Sequence, residues 1–182
     1  MFYSMDLNRS IITNALKRLG ECATEEGLTL EVCLYGGTLM MLAYDARNAT
    51  KDVDAVVQPA EVGKRLIKKV AKELQLPENW LNDDVRMFIA PKGETRNLPL
   101  QFQGLHLTAP TAAYLLAMKA MACRPSLPGN EGDLDDLRFL IRKLEITSVS
   151  QIQATIDTYY PDDVLPPQDK ALLDILIAEA WA

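Results

Sequence analysis

Two acidic residues, two positions apart, open the apolar run Asp52-Val53-Asp54-Ala55-Val56-Val57. Residues at i and i+2 of a β-strand point to the same face, so both carboxylates would lie side by side while Val53 points into the core. Neighbouring carboxylates repel one another unless a cation lies between them, which predicts Mg²⁺ or Mn²⁺ at Asp52 and Asp54. The alternative is an exposed strand end whose acids are simply solvated.

A glycine pair precedes the acids, in the run Leu34-Tyr35-Gly36-Gly37-Thr38. An apolar strand that leads into Gly-Gly predicts a loop whose bare backbone can approach phosphate oxygens. A tight turn would also explain the glycines. It would not require the polar residues Arg47, Thr50 and Lys51, which occur among the fourteen residues between Gly37 and Asp52. Together these features are the parts that a nucleotidyl-transfer site needs.

Further charged residues occur on helical patterns later in the chain. Lys119 shares the apolar stripe of its helix and needs an anionic partner, unless its ammonium reaches solvent. Asp133 and Asp136, at i and i+3, would lie on or beside the core-facing stripe at the start of the next helix. Acids at that position can also be caps or complements to the helix dipole. Arg124, between these groups in sequence, is a candidate phosphate contact.

The run from Gly36-Gly37-Thr38 to Asp52-Val53-Asp54 resembles the signature of the polymerase-β-type nucleotidyltransferase superfamily. It is most similar to the branch of abortive-infection (AbiEii-like) toxins and related uncharacterised nucleotidyltransferases. The resemblance spans about residues 30–144 and includes Trp80-Leu81-Asn82-Asp83, residues 105–110, Lys119, and Asp133-x-x-Asp136. It implies an α+β nucleotidyltransferase-like fold, with a mixed sheet core flanked by helices and a C-terminal helical segment.

The resemblance also implies an activity, the transfer of NMP from an NTP to an acceptor hydroxyl with release of pyrophosphate. The acceptor would be the 3′ end of tRNA, with the protein as the toxin of a toxin–antitoxin or phage-defence pair and a cognate antitoxin as its partner. A small-molecule acceptor, as in the antibiotic-modifying relatives, is the alternative. Mg²⁺ or Mn²⁺, held by Asp52 and Asp54, would be the cofactor.

Residue roles follow from the same resemblance. Lys119 would contact nucleotide phosphates or a metal-bridged acid, Asp133 would be the base for the acceptor hydroxyl, and Asp136 would support it. The catalytic set is Asp52, Asp54, Lys119, Asp133 and Asp136. The nucleotide-binding set is Gly36, Gly37, Thr38, Arg47, Thr50, Lys51 and Arg124.

One departure concerns a third metal-binding acid, which many members of the superfamily carry on a later strand. The expected strand, 98–103, has the neutral Gln101 at that place. Either Asp133 fills in, or a second metal is held loosely, or the protein is a weakened enzyme. The last option leaves a binding or regulatory protein as the rival to an enzyme.

Composition sets broad limits on the chain. Its 182 residues, 48% of them apolar, suffice for a compact core, and a net charge of −6 argues against a generally basic surface. A local basic stripe could still follow a polyanion such as tRNA, although a solvated helix face is the more ordinary explanation; it comprises Lys64, Arg65, Lys68, Lys69 and Lys72. His106 is the only histidine, which excludes His-rich zinc sites.

The three cysteines are odd in number and lack CxxC spacing, which predicts buried thiols in a cytoplasmic protein. No apolar run approaches the length of a membrane span, and no N-terminal targeting segment is expected. Hydrophobic periodicity predicts an α+β core over 1–108 and a helical segment over 109–182. Helices are expected at 6–26, 38–46 with Thr38 as cap, 60–75, 111–123, 132–144, 148–158 and 167–180, and strands at 29–35, 53–58 and within 80–107.

Overall fold

The computed structural model describes residues 6–122 and 131–182, which form two compact units. The first unit comprises Met1–Met87 and Thr95–Ala109, and the second comprises Phe88–Glu94 and Pro110–Ala182. The first contains strands and helices, whereas the elements of the second are helices. The protein is therefore α+β, with a mixed sheet flanked by helices and a C-terminal helix, as expected.

The element bounds follow chain order. The strands are β1 Leu7–Asn8, β2 Leu30–Leu34, β3 Ala49–Thr50, β4 Val53–Gln58, β5 Leu81–Asn82, β6 Thr95–Asn97 and β7 Leu105–Pro110. The helices are α1 Arg9–Glu25, α2 Gly36–Tyr44, α3 Ala60–Leu74, α4 Ala112–Ala122, α5 Glu131–Lys143, α6 Val149–Tyr159 and α7 Pro167–Trp181. A short 3₁₀ helix spans Asp84–Phe88.

The main sheet of the first unit has the strand order β5-β4-β2-β7-β6 within residues 6–122. β2 runs antiparallel to β4 and parallel to β7, and β4 runs parallel to β5. β1 and β3 form a separate antiparallel ribbon, in which Leu7 pairs with Thr50. Strands of two residues carry no readable alternation, so the sequence did not predict this ribbon.

β4 has two different faces, although the near-continuous apolar run Val53–Gln58 predicts a strand that is buried on both faces. Val53, Ala55 and Val57 are buried, whereas Asp54 and Val56 on the other face are half-exposed. α3 packs against the buried face, where a Cβ on Gly63 would lie 2.6 Å from Val57 Cγ1. The opposite face carries polar side chains, and we call it the polar face of the sheet.

Register extends the polar face across the central strands. Cys33 of β2 pairs with Val56 on one side and with Thr108 on the other. Cys33 is half-exposed, unlike the buried Cys22, so the prediction of a buried thiol is wrong for Cys33. Cys123 lies outside the described residues.

α2 begins two residues earlier than expected. Tyr35 is its extended N-cap residue and Gly36 its first residue, so Thr38 lies inside the helix rather than capping it. The glycine pair consequently forms the first turn of a helix and not a free loop. Glycine permits this start because Gly36 has φ +55°.

The region from Trp80 to Leu107 departs most from its predicted strands. Residues 98–103 contain no regular strand, and Gln101 is exposed outside the sheet. The strand of this region that pairs with β2 is β7, which begins at Leu105. Several turn-forming prolines and glycines obscured the alternation on which strand prediction depends. Trp80 anchors the start of this region, since its Nε1 donates to Ile67 O at 3.2 Å.

The second unit has its own core around Tyr114. The Tyr114 ring centroid lies 4.8 Å from that of Tyr159, and the Tyr114 hydroxyl accepts a hydrogen bond from Ala90 N at 2.7 Å. A Cβ on Gly93 would lie 2.6 Å from the same ring, which explains why 88–94 belongs with the helices. Burial raises the pKa of Tyr160, which also lies near Tyr114.

The helices of the second unit occur where periodicity predicted them, within one or two residues. Ser148 and Gln151 form a capping box at the start of α6. α7 buries Leu173, Leu176 and Ile177, whereas Ile175 and Trp181 are exposed. None of the described helices is long and apolar enough to cross a membrane.

Candidate nucleotide and metal site

Gly36 brings the first turn of α2 directly against an acidic side chain of β4. A Cβ at Gly36 would lie 2.2 Å from Asp54 Oδ2, which is closer than any side chain could approach. Tyr35 N donates to Asp54 O at 2.8 Å and thereby ties the end of β2 to the start of β4. The positive φ and this contact both require glycine at position 36.

The second glycine faces the segment that connects α2 to β4. A Cβ at Gly37 would lie 2.8 Å from Thr50 Oγ1 and 2.9 Å from Arg47 Nη1. Thr38 Oγ1 donates to Asp52 O at 3.3 Å. The fourteen residues between the glycines and the acids therefore fold back, as α2 and β3, onto the glycines themselves.

The two acids share their end of the sheet with an amide that the sequence analysis did not assign to the site. Asn82 Nδ2 donates to Asp52 Oδ2 at 3.0 Å, and Asn82 pairs in register with Asp54. Asp52 and Asp54 are both half-exposed. Asn82 belongs to the run Trp80-Leu81-Asn82-Asp83, and its position at the end of a short apolar strand is the signal that could have identified it.

The ribbon of β1 and β3 holds this part of the chain in place. Leu7 is fully buried and pairs with Thr50, and Arg9 Nη2 donates to Asp45 Oδ1 at 2.8 Å. Arg9 also hydrogen bonds to Met41 O near the end of α2. The start of the chain thus fixes both ends of the segment that carries Arg47 and Thr50.

The first unit therefore brings together most of the predicted residues: Gly36, Gly37, Thr38, Arg47, Thr50, Asp52 and Asp54. Lys51 is exposed between Thr50 and Asp52. Arg124 lies outside the described residues.

The donors present at this site fit a hard divalent cation. Asp52 and Asp54 offer carboxylate oxygens, the ligand type that Mg²⁺ and Mn²⁺ prefer. No group of three or more histidine, cysteine or acidic side chains that could hold a metal occurs in the described parts of the chain. Two carboxylates are nevertheless a usual protein contribution to Mg²⁺ sites in which substrate phosphates supply further ligands.

β7 is the strand on which a third acid could complete the polar face, and it has none. Its side chains on that face are His106 and Thr108. His106 Nε2 lies 3.2 Å from Asn97 Oδ1, and its Nδ1 contacts the Glu31 carboxylate. A third metal-binding acid is therefore absent from β7, as it is from the expected strand 98–103.

Lys119, Asp133 and Asp136 form a charged cluster within the second unit. Lys119 Nζ lies 2.6 Å from Asp136 Oδ2 and 3.1 Å from Asp133 Oδ1. The side chains of Lys119 and Asp136 are 11% and 1% exposed, so this lysine does not extend its ammonium into solvent. Its predicted need for an anionic partner is met by the two aspartates.

The two aspartates differ in burial. Asp136 faces the core beside Leu137 and Leu140, as the helical stripe predicted. The side chain of Asp133 is 59% exposed, so Asp133 lies beside the core-facing stripe and not on it. The two residues are three positions apart on the helix. Since each residue turns the helix by about 100°, three residues fall about 60° short of a full turn, and the two side chains point about 60° apart.

The basic stripe of α3 is largely compensated by acids. Arg65 bonds to both carboxylate oxygens of Glu26, at 2.7 and 2.6 Å, and Lys69 lies 3.2 Å from Glu25. Arg18 of α1 joins them, with Glu73 at 2.6 Å and Glu25 at 2.9 Å. Much of the stripe therefore ties α3 to α1.

Proton affinities in this network reflect its contacts. Hydrogen bonds from Arg18 hold the pKa of Glu73 and of Glu25 below their usual range, and Arg65 does the same for Glu26. Burial raises the pKa of the neighbouring Cys22 thiol. All these carboxylates are therefore ionised at neutral pH.

No protein-family model matches this chain, and neither curated proteins nor solved structures include a significant match to it.

Proposed function

We propose that the protein is a metal-dependent nucleotidyltransferase, which moves NMP from an NTP to an acceptor hydroxyl and releases pyrophosphate. The observation that supports this most is the approach of the Gly36 backbone to Asp54, at the start of β4, where Asp52 also lies. A helix start without side chains, beside two carboxylates, suits a triphosphate and its cation.

Residues of the first unit would have distinct roles. The N–H groups of the first helical turn, from Gly36 to Thr38, would bind the β- and γ-phosphates, because N–H groups in that turn lack partners within the helix. Arg47 would add positive charge beside Gly37. Mg²⁺ or Mn²⁺, when bound by Asp52 and Asp54, would neutralise charge on the phosphates and orient the α-phosphate.

Asn82 would position Asp52. Its amide donates to one carboxylate oxygen and leaves the other for a cation. Because the Asn82 amide is neutral, it orients the Asp52 carboxylate without changing the charge of the site.

Roles for the second unit rest on the family resemblance. Lys119 would contact phosphates or a metal-bridged acid, Asp133 would be the base, and Asp136 would support it. Exposure favours Asp133 over the buried Asp136 for contact with an acceptor hydroxyl. The proposed acceptor is the 3′ end of tRNA, in a toxin that a cognate antitoxin neutralises, and a small-molecule acceptor is the alternative.

Labelled NTPs test the proposal. The protein would be incubated with each α-labelled NTP, Mg²⁺ and either total tRNA or a panel of aminoglycosides. We expect label in one acceptor class, lost in Asp52→Asn and in Asp54→Asn. Asp174→Asn, an exposed change of the same kind on α7, is the matched control and should retain transfer. Absence of label in every acceptor, at saturating NTP, would contradict the proposal.

The lack of an acid on β7 favours a second candidate, a protein that binds nucleotide without transferring it. Calorimetric titration of NTP with Mg²⁺ separates the two. Binding that requires Asp52 and Asp54, without label transfer to any acceptor, would support the binding protein.

A further inference from the structure

A cavity of about 580 Å³ lies in the first unit, between α3, β4 and the segment that follows β5. Its apolar walls come from Ala55 and Val57 of β4, Ile67 of α3, and Leu81 of β5. The volume falls within the range of about 300–1,000 Å³ that is usual for small-molecule pockets. The cavity can therefore hold a compact organic molecule against an apolar surface.

The remaining lining is polar and charged. Two amide side chains, of Asn79 and Asn82, lie among these residues and can donate or accept hydrogen bonds. The charged members are Glu61, Lys64, Arg65, Lys68, Glu78, Asp83 and Arg86. Polar and charged side chains therefore surround the apolar walls and can orient a ligand.

The contacts of the basic residues indicate the charge of the ligand. Arg65 is held by Glu26, and Arg86 Nε lies 3.1 Å from Asp83 Oδ2. Lys64 lies 4.0 Å from Glu61. Lys68 has no ion-pair partner in the described parts of the chain and can offer its positive charge to a ligand, while Glu78 is the lining acid that likewise has none there.

We propose that this cavity binds a small organic anion, with its apolar body against Ala55, Val57, Ile67 and Leu81 and its anionic group at Lys68. Asn79 and Asn82 would complete the polar contacts of the ligand. Asp52 and Asp54 are not among the lining residues, so the inference does not depend on nucleotidyl transfer. Asn82 is shared, because it also donates to Asp52.

Two dyes that differ only in charge test this inference on the full chain. Anilinonaphthalene sulfonate carries a sulfonate, whereas phenylnaphthylamine has the same rings without it. By calorimetric titration we expect one anionic dye per chain, bound about tenfold or more tightly than the neutral dye, as one charge-assisted contact implies. Lys68→Glu should abolish that preference. Lys72→Glu, on the same helix but outside the cavity, should retain it.

Location and folding are checked in parallel. The anionic dye should shift the NMR side-chain amide signals of Asn79 and Asn82, and Asn79→Trp, at an exposed lining position, should block binding. Circular dichroism must show native spectra for all variants, because this dye also binds partly folded proteins. Equal affinity for both dyes, a Lys68→Glu protein that binds like wild type, or shifts confined to other surfaces would overturn the proposal.

Discussion

Gly36 has the least freedom to change among the residues of the candidate site. An alanine there must adopt a positive φ, which costs about 1–2 kcal/mol, and must also displace Asp54, which adds a clash of about 1–3 kcal/mol. Gly27 is the matched control, because it has φ +70° but open space within 4 Å of its added Cβ. We expect urea unfolding to give a larger loss of stability for Gly36→Ala than for Gly27→Ala. Equal losses would show that Asp54 moves aside freely.

Asp52 and Asp54 should make the protein bind Mg²⁺ or Mn²⁺. A cation that binds only the folded state raises the melting temperature as its concentration rises. We expect this rise in wild type and in Asp174→Asn, and its loss in the double variant Asp52→Asn with Asp54→Asn. Removal of the metal with a chelator should return wild type to its starting temperature. An equal rise in the double variant would place the cation elsewhere.

Replacing Lys119 or Asp136 alone should destabilise the protein far more than replacing both together. Lys119→Met would leave the buried Asp136 carboxylate without its nearest cation, at a cost of about 3–5 kcal/mol. The double variant Lys119→Met with Asp136→Leu removes both charges and should recover much of that loss. Denaturant unfolding of the two single variants and the double variant measures the coupling. Purely additive losses would mean that the 2.6 Å contact contributes little.

At the scale of elements, the ion-pair network between α1 and α3 should make the stability of the protein depend on pH. Glu25 and Glu73 have lowered pKa values in the fold, so their contribution is complete above the unfolded value of about 4.3. It is lost as pH falls through the lower folded values. We expect Arg18→Met to be less stable than wild type at neutral pH, with the difference shrinking towards about pH 3.

Arg86→Met is the control for that series. Arg86 pairs with Asp83 within one short segment and does not join two helices. Urea unfolding at both pH values should show a small difference from wild type that hardly changes with pH. A pH-independent loss in Arg18→Met would instead indicate lost packing by its side chain.

The sequence predicted elements best where one period repeats over several turns. α3, for example, buries Leu66, Ile67 and Val70 at helical spacing, and its predicted end lies within a residue of the observed one. The ribbon of β1 and β3, by contrast, consists of long-range pairing between two-residue segments, which leave no local pattern. The start of α2 at Gly36 and the partners of Lys119 and Asp52 likewise depend on residues distant in sequence.

At the scale of the whole molecule, β2 is the central strand of the five-stranded sheet, with a strand of six residues on each side. β4 pairs with one edge and β7 with the other, whereas β5 and β6 are short and lie at the ends of the strand order. We therefore expect the slowest amide hydrogen exchange of the first unit in Leu30–Leu34 and faster exchange in Thr95–Asn97. Exchange measured by NMR or mass spectrometry checks this. Slower exchange in β6 than in β2 would contradict it.

The parallel pairing of β2 with β7 also has a consequence for folding during translation. Leu30 pairs with Leu105, so a growing chain on the ribosome already contains the glycines and both acids long before β2 gains its second neighbour. Until then one edge of β2 is unpaired, and an open strand edge can join another chain. Before β7 can pair with β2, this protein is therefore most prone to edge-to-edge aggregation and most in need of a chaperone.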